Sequence, residues 1–180
     1  MKLPSPRSVV HDLSTEEEAA TGSARRKAAA ARYRPTPIRT LLVAEAPPRG
    51  LSRYFYFEHV GAHDSLFRNV FRTMMNKEPD RKAKARHLAE LKTAGVFLID
   101  LKESPADDSP LADSVPGLVE RCAALSAERI ILIKVTVYDA AFAALKSASL
   151  PVINCRIPFP GSGQQRRFEE EFRAALQMQP

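Results

Sequence analysis

Cysteine is scarce in this chain of 180 residues: Cys122 and Cys155 are the only two. By themselves they build no disulfide framework, no four-cysteine zinc site and no all-cysteine iron–sulfur cluster. Long apolar runs are missing as well. None approaches the roughly 18 residues that a membrane-spanning helix requires. Met1-Lys2-Leu3-Pro4 leads into no apolar core of the kind a secretory signal carries. The expectation is a cytoplasmic protein that does not contact membrane. The chain has no G-x-x-x-x-G-K-[ST] loop and no G-x-G-x-x-G fingerprint, which counts against nucleotide hydrolysis and dinucleotide redox chemistry. The absence of G-x-S-x-G counts against a serine hydrolase. Neither a metal nor a cofactor is expected.

The length supports one domain with a sizeable core. Hydrophobic residues make up 44%, which argues against disorder. The formal net charge is +6, with basic clusters at Arg25-Arg26-Lys27, Arg81 to Arg86 and Arg166-Arg167. Such an excess favours polyanionic partners, because each contacted phosphate releases counterions.

Residues 1–37 read as an N-terminal arm and a helix packed on the domain, and residues 38–180 as the domain itself. Ser14 and Glu17 have capping-box spacing, so the helix starts there and runs through an alanine-rich stretch to about Arg32. Four short apolar runs then read as buried strands: Ile38 to Ala44, Val96 to Leu101, Arg129 to Ile133 and Leu150 to Asn154. Amphipathic segments separate them, with Asp64 as a helix cap and Gly95 as a stop signal. The alternation predicts an α/β fold, a three-layer α/β/α arrangement with a four-stranded, mainly parallel sheet. Ligands of such sheets bind beyond the carboxyl ends of the strands. Here those ends are Glu45 to Phe57, Asp100 to Lys102, Lys134 to Thr136 and Arg156 to Gln165.

The run L-L-V-A-E-A-P-P at 41–48 resembles the first motif of the uracil-DNA glycosylase superfamily, in the branches where a buried strand ends in Gly-Glu-Ala-Pro-Gly. V-F-L-I-D-L-K at 96–102 resembles that family's strand ending in Thr-Asn-Val-Val-Lys. I-I-L-I-K at 130–134 resembles the strand usually followed by Gly and a short helix. R-I-P-F-P-G-S-G at 156–163 is similar to its His-Pro-Ser-Pro loop. The resemblance runs from about Arg39 to Leu176. It implies hydrolysis of an N-glycosidic bond in DNA, with the base flipped out of the duplex into a pocket.

Carried over on that resemblance, Glu45 takes the catalytic acid position, and Phe55, Tyr54, Pro47 and Asp100 take substrate-binding positions, with Phe55 first for stacking and Asp100 for reading the base edge. Arg53, Arg156, Ser162, Gly163, Gln164, Arg166 and Arg167 fall where the family meets DNA. Free backbone N–H groups of the Gly161-Ser162-Gly163 turn suit a phosphate at the start of the last helix. This chain departs from the pattern twice. Asp100 stands where the family has its base-reading Asn, and Ile157 where it has its catalytic His. An isoleucine donates no hydrogen bond, so uracil excision is expected to be weak or absent unless His59 or His63 approaches from the first loop. Two readings stand beside an active glycosylase: a non-catalytic nucleobase, nucleotide or nucleic-acid binding module on the same fold, and another enzyme using Glu45 and Asp100 as a carboxylate pair.

Overall fold

Thr40–Ala44 form a strand, β1, in which no residue is more than 7% exposed. Successive side chains of a strand point to opposite faces, so burial of all five means both faces of the sheet are covered. The structure is a computed structural model that describes residues 15–61, 64–161 and 163–180, with side chains from residue 20 onward. In chain order it contains α1 (Thr15–Arg32), β1, α2 (Ser65–Met75), α3 (Lys84–Thr93), β2 (Val96–Asp100), α4 (Val115–Leu125), β3 (Arg129–Leu132), α5 (Val135–Ser147) and α6 (Gln165–Gln177). Among the described residues no helix is long and apolar enough to cross a membrane.

The sheet is parallel, in the order β2-β1-β3. Parallel neighbours need long crossovers, and helices supply them. Helix α3 packs on β2, α2 on α6, and α4 on α5. Ala44 lies opposite Asp100, and Val43 opposite Leu132, so the strands finish almost level.

The sheet has three strands, where the sequence predicts four. Residues 150–154 contribute only an isolated bridge, Ile130 to Val152. Two features prevent a ladder. Pro151 has no N–H to donate, although its carbonyl accepts from Ile130 N at 2.8 Å. The N–H groups of Val152 and Cys155 turn back to the carbonyls two residues earlier, Leu150 and Ile153.

Local signals account for several boundaries. Asp64 Oδ1 accepts from Phe67 N at 3.1 Å and caps α2. Gly95 has φ +77°, and a Cβ there would fall 2.8 Å from the Arg39 side chain, so α3 turns into β2 at a position only glycine fits. Ser14 lies outside the described residues. Helix α1 is tied down by Arg26, 6% exposed, whose guanidinium donates to the carbonyls of Pro48 (2.8 Å) and Arg49 (3.2 Å). Strand β2 is an edge strand. Tyr56 closes part of that edge: its hydroxyl donates to Leu98 O and accepts from Leu98 N.

Candidate functional site

Beyond the carboxyl ends of the strands lies a cleft of about 310 Å³. Glu45, Pro47, Arg53, Tyr54, Phe55 and Asp100 all line it, as do Lys134 and Phe159. The three parallel strands deliver their ends to the same edge, and the bridge between Ile133 and Ile157 brings the segment of Phe159 alongside, so residues up to 114 positions apart meet at one place.

Glu45 follows the last residue of β1. Its Oε2 accepts from Lys134 Nζ at 2.6 Å and from Thr136 Oγ1 at 2.7 Å. Partial burial pushes its acidity down, but the two hydrogen bonds and the charges of Lys134 and Lys102 outweigh that, so its pKa sits below the ordinary carboxylate value. Glu45 is therefore ionised at neutral pH. Among the described residues none donates to Oε1. Lys134, the main partner, stands between β3 and α5 at φ +84°, ψ 129°. A non-glycine residue there carries about 1–3 kcal/mol of backbone strain. The backbone is held by bonds from Lys134 N to Ile157 O and to Lys134 O from Val137 and Tyr138 N.

Asp100, the last residue of β2, has the opposite environment. No side chain among the described residues donates to its carboxyl group. Arg121 reaches the carbonyls of Asp100 and Leu101 instead, each at 2.8 Å. Burial without hydrogen bonds pushes its pKa up to about 7, against smaller opposing pulls from Arg121 and Arg26. The carboxyl pairs with neither lysine: Lys134 is taken by Glu45, and buried Lys102 donates to the carbonyls of Asp107 and Ser109. A smaller cavity of about 140 Å³ beside α1 also has Asp100, Tyr54 and Pro47 in its wall, together with Arg26.

The aromatic run contributes walls to the cleft. Tyr54 and Phe55 line it but are only 8% and 5% exposed. The Phe55 ring packs edge-on against Tyr56 (5.0 Å) and Phe67 (5.6 Å). Lys84, buried beneath, fixes this run by donating to Tyr54 O and Asp64 Oδ2, each at 3.0 Å. The prominent ring is a different one. Phe159 is 42% exposed and lies at the cleft. Ile157 is fully buried, and its carbonyl serves Lys134 N. Among the described residues no histidine lines the cleft. His59 borders a separate hollow near Arg32 and Glu58, and His63 lies outside the described residues.

The basic positions divide. Arg53 lines the cleft. Arg156 is engaged with Asp139 at 2.7 Å, and Arg166 with Glu170 at 2.8 Å. Arg167 and Gln164 are exposed, Gln164 being the residue before α6, and Gly163 has φ +82°. Ser162 lies outside the described residues. Sequence reasoning marked the segments that hold Lys134, Thr136 and Phe159 as ligand-facing but gave those residues no role, and Arg26 appeared in it only as part of a basic cluster. Among the described residues no group of three or more His, Cys, Asp and Glu side chains is placed to hold a metal ion. No family model and no curated protein matches the chain.

Proposed function

We propose that this protein is a DNA-directed hydrolase that cleaves the N-glycosidic bond of a flipped base, on a three-layer α/β/α fold resembling the uracil-DNA glycosylases, acting in the cytoplasm. The observation that carries the reading is the pair of cleft carboxylates with acidities driven apart, Glu45 below its ordinary value and Asp100 up to about 7. Such a split assigns a charged partner and a proton donor within one site. In this mechanism the ionised Glu45, pinned through Oε2, offers Oε1 to an attacking water and stabilises the cation developing at the sugar C1′. Protonated Asp100 donates to the departing base. The C1′–N bond breaks, the water oxygen bonds to C1′, its proton passes to Glu45, and the bonding pair leaves on the base with the proton from Asp100. That donor takes the part for which the buried Ile157 is unfit.

Excision assays on oligonucleotides carrying uracil, hypoxanthine, xanthine or oxidised bases test this. At least one base should be released, and Asp100→Asn should slow release by about 10²–10⁴-fold, the usual worth of a positioned acid or base. Release from none of them would remove the enzymatic reading and leave the binding module. That second reading is favoured by one observation: among the described residues no imidazole faces the cleft.

A further inference from the structure

The cleft contains an aromatic ring that folding does not explain. Phe159 lies between Pro158 and Pro160, both buried, so the backbone on each side is stiff and anchored. Its carbonyl accepts from Gly161 N at 2.8 Å, which tightens the turn. Gly161 lies under the ring: a Cβ there would come within 3.2 Å of Phe159 Cδ1. Yet the ring is 42% exposed, the largest value among the exposed large hydrophobic residues. It makes no aromatic contact with any described residue, whereas Tyr54, Phe55, Tyr56 and Phe57 all pack against other rings. A side chain serving stability alone would turn inward; this one lines the cleft with its face partly open to solvent.

We propose that Phe159, and not Phe55, is the stacking residue of the site, and that its ligand is a planar heteroaromatic ring of nucleobase type. This rests on the nucleobase reading above and specifies which ring recognises the base. Three features select that class. The cleft's volume, about 310 Å³, is at the lower end for small-ligand sites and suits a single base with part of its sugar. The Asp100 carboxyl group lines the same cleft, and in its protonated form it offers one donor and one acceptor to the edge of a base. Arg53 in the lining suits the phosphate that follows a nucleotide's sugar. Phe55 is poorly placed for stacking because its edge contacts with Tyr56 and Phe67 already bury it.

The chain has no tryptophan. Phe159→Trp therefore introduces a single tryptophan at the position in question, whose emission is excited selectively at wavelengths where the four tyrosines do not absorb. Titration with free uracil, hypoxanthine and xanthine is expected to quench its emission saturably, and deoxyribose is expected to leave it unchanged. In parallel, calorimetry on the unsubstituted protein measures binding of the same bases. Phe159→Ala and Phe159→Leu should each weaken that binding, the alanine variant by about 5- to 150-fold, the range that base–aromatic stacking spans. Phe159→Tyr should bind as the unsubstituted protein does, and melting curves should show every variant folded at the temperature of the titration. If the unsubstituted protein binds a base and Phe159→Leu binds it equally well, the assignment of Phe159 is overturned while the nucleobase reading stands. If the unsubstituted protein binds none of the bases at millimolar concentration, both are overturned.

Discussion

Strands β1 and β2 lie side by side, and the chain places a carboxylate at the end of each, but the two ends are furnished in opposite ways. At the end of β1, Glu45 receives a lysine and a threonine hydroxyl from the next strand's crossover. At the end of β2, Asp100 has an arginine close by, yet Arg121 spends its donors on main-chain carbonyls. Charge alone does not settle the ionisation of a half-buried acid. Donors at hydrogen-bonding distance do, because they replace the water that burial removes. One carboxylate is stabilised as an anion and its neighbour is held close to neutrality, although Ala44 and Asp100 are paired residues of one ladder.

The largest expected effect follows from this contrast and concerns stability. The Asp100 pKa rises from 3.8 to about 7 on folding, so the native state holds a proton that the unfolded chain releases between those values. Stability therefore falls as pH rises from about 4 to about 7, and the penalty is constant above that. At about 1.36 kcal/mol per pKa unit the full penalty is on the order of 4 kcal/mol. Asp100→Asn cannot ionise and escapes it. The variant should melt higher than the unsubstituted protein at pH 8, by on the order of 10 °C for a chain of this size, and the gap should close near pH 4. A gap that does not vary with pH would mean that Asp100 is solvated, and the contrast with Glu45 would go. The predicted loss of excision in the same variant makes it a stabilised, inactive protein.

Glu45 has the opposite sign. Its pKa is lowered on folding, so it contributes stability above its ordinary value that is lost as pH falls through the folded value. Lys134 and Glu45 are 38% and 31% exposed, so the pair is worth less than about 1 kcal/mol. Position 134 separates this small term from backbone strain. Lys134→Met loses the ion pair and keeps the positive φ. Lys134→Gly loses the pair and relieves the strain. Denaturant melts should place the glycine variant about 1 kcal/mol above the methionine variant. Equal stabilities would show that φ +84° is not costly there. Glu45→Gln should destabilise by less than about 1 kcal/mol at pH 7, and the difference should shrink as pH falls through the folded-state pKa of Glu45.

The contrast was only half legible in the sequence. Short continuous apolar runs identified β1, β2 and β3, because strands buried on both faces must be continuously apolar. The fourth run failed for a reason the periodicity does not carry: Pro151 and the back-turned N–H groups leave too few donors for a ladder. Glu45, Asp100, Tyr54, Phe55, Pro47 and Arg53 were all placed in the cleft by a rule about strand ends, which topology satisfies whatever the side chains do. Which carboxylate is bare depends on partners far along the chain: Thr136, 91 residues from Glu45, and Lys134 beside it, while Arg121 reaches back 20 and 21 residues to main-chain carbonyls rather than to the Asp100 carboxyl group. No local pattern encodes them. Phe159 lay inside a segment already marked by its strand-end position, and the prolines flanking it were the only local sign of a rigid, outward ring.

The smallest expected effect extends the contrast between a partnered and a bare charge to the arginines. Arg156 carries Asp139 at 2.7 Å and Arg166 carries Glu170 at 2.8 Å, so each brings a negative charge with it toward a phosphate. Arg53 and Arg167 have no carboxylate partner among the described residues, and both are exposed. Duplex binding weakens with salt in proportion to the number of phosphates neutralised, about 0.9 in logarithmic slope for each. Replacing Arg53 and Arg167 together with alanine should flatten the salt dependence of binding to an undamaged duplex by about 1.8. Replacing Arg156 and Arg166 together should flatten it by less than half of that, because two neutral pairs are removed rather than two free cations. The slopes are measured by fluorescence anisotropy on a labelled duplex across a range of salt concentrations, with melting curves to verify that all the variants are folded. Equal changes in the two double variants would mean that the surface pairs open at no cost when DNA arrives, as weak exposed pairs can. An unchanged slope in both would place the phosphate-binding surface away from the cleft and from α6, and would leave the basic excess of the chain to another face.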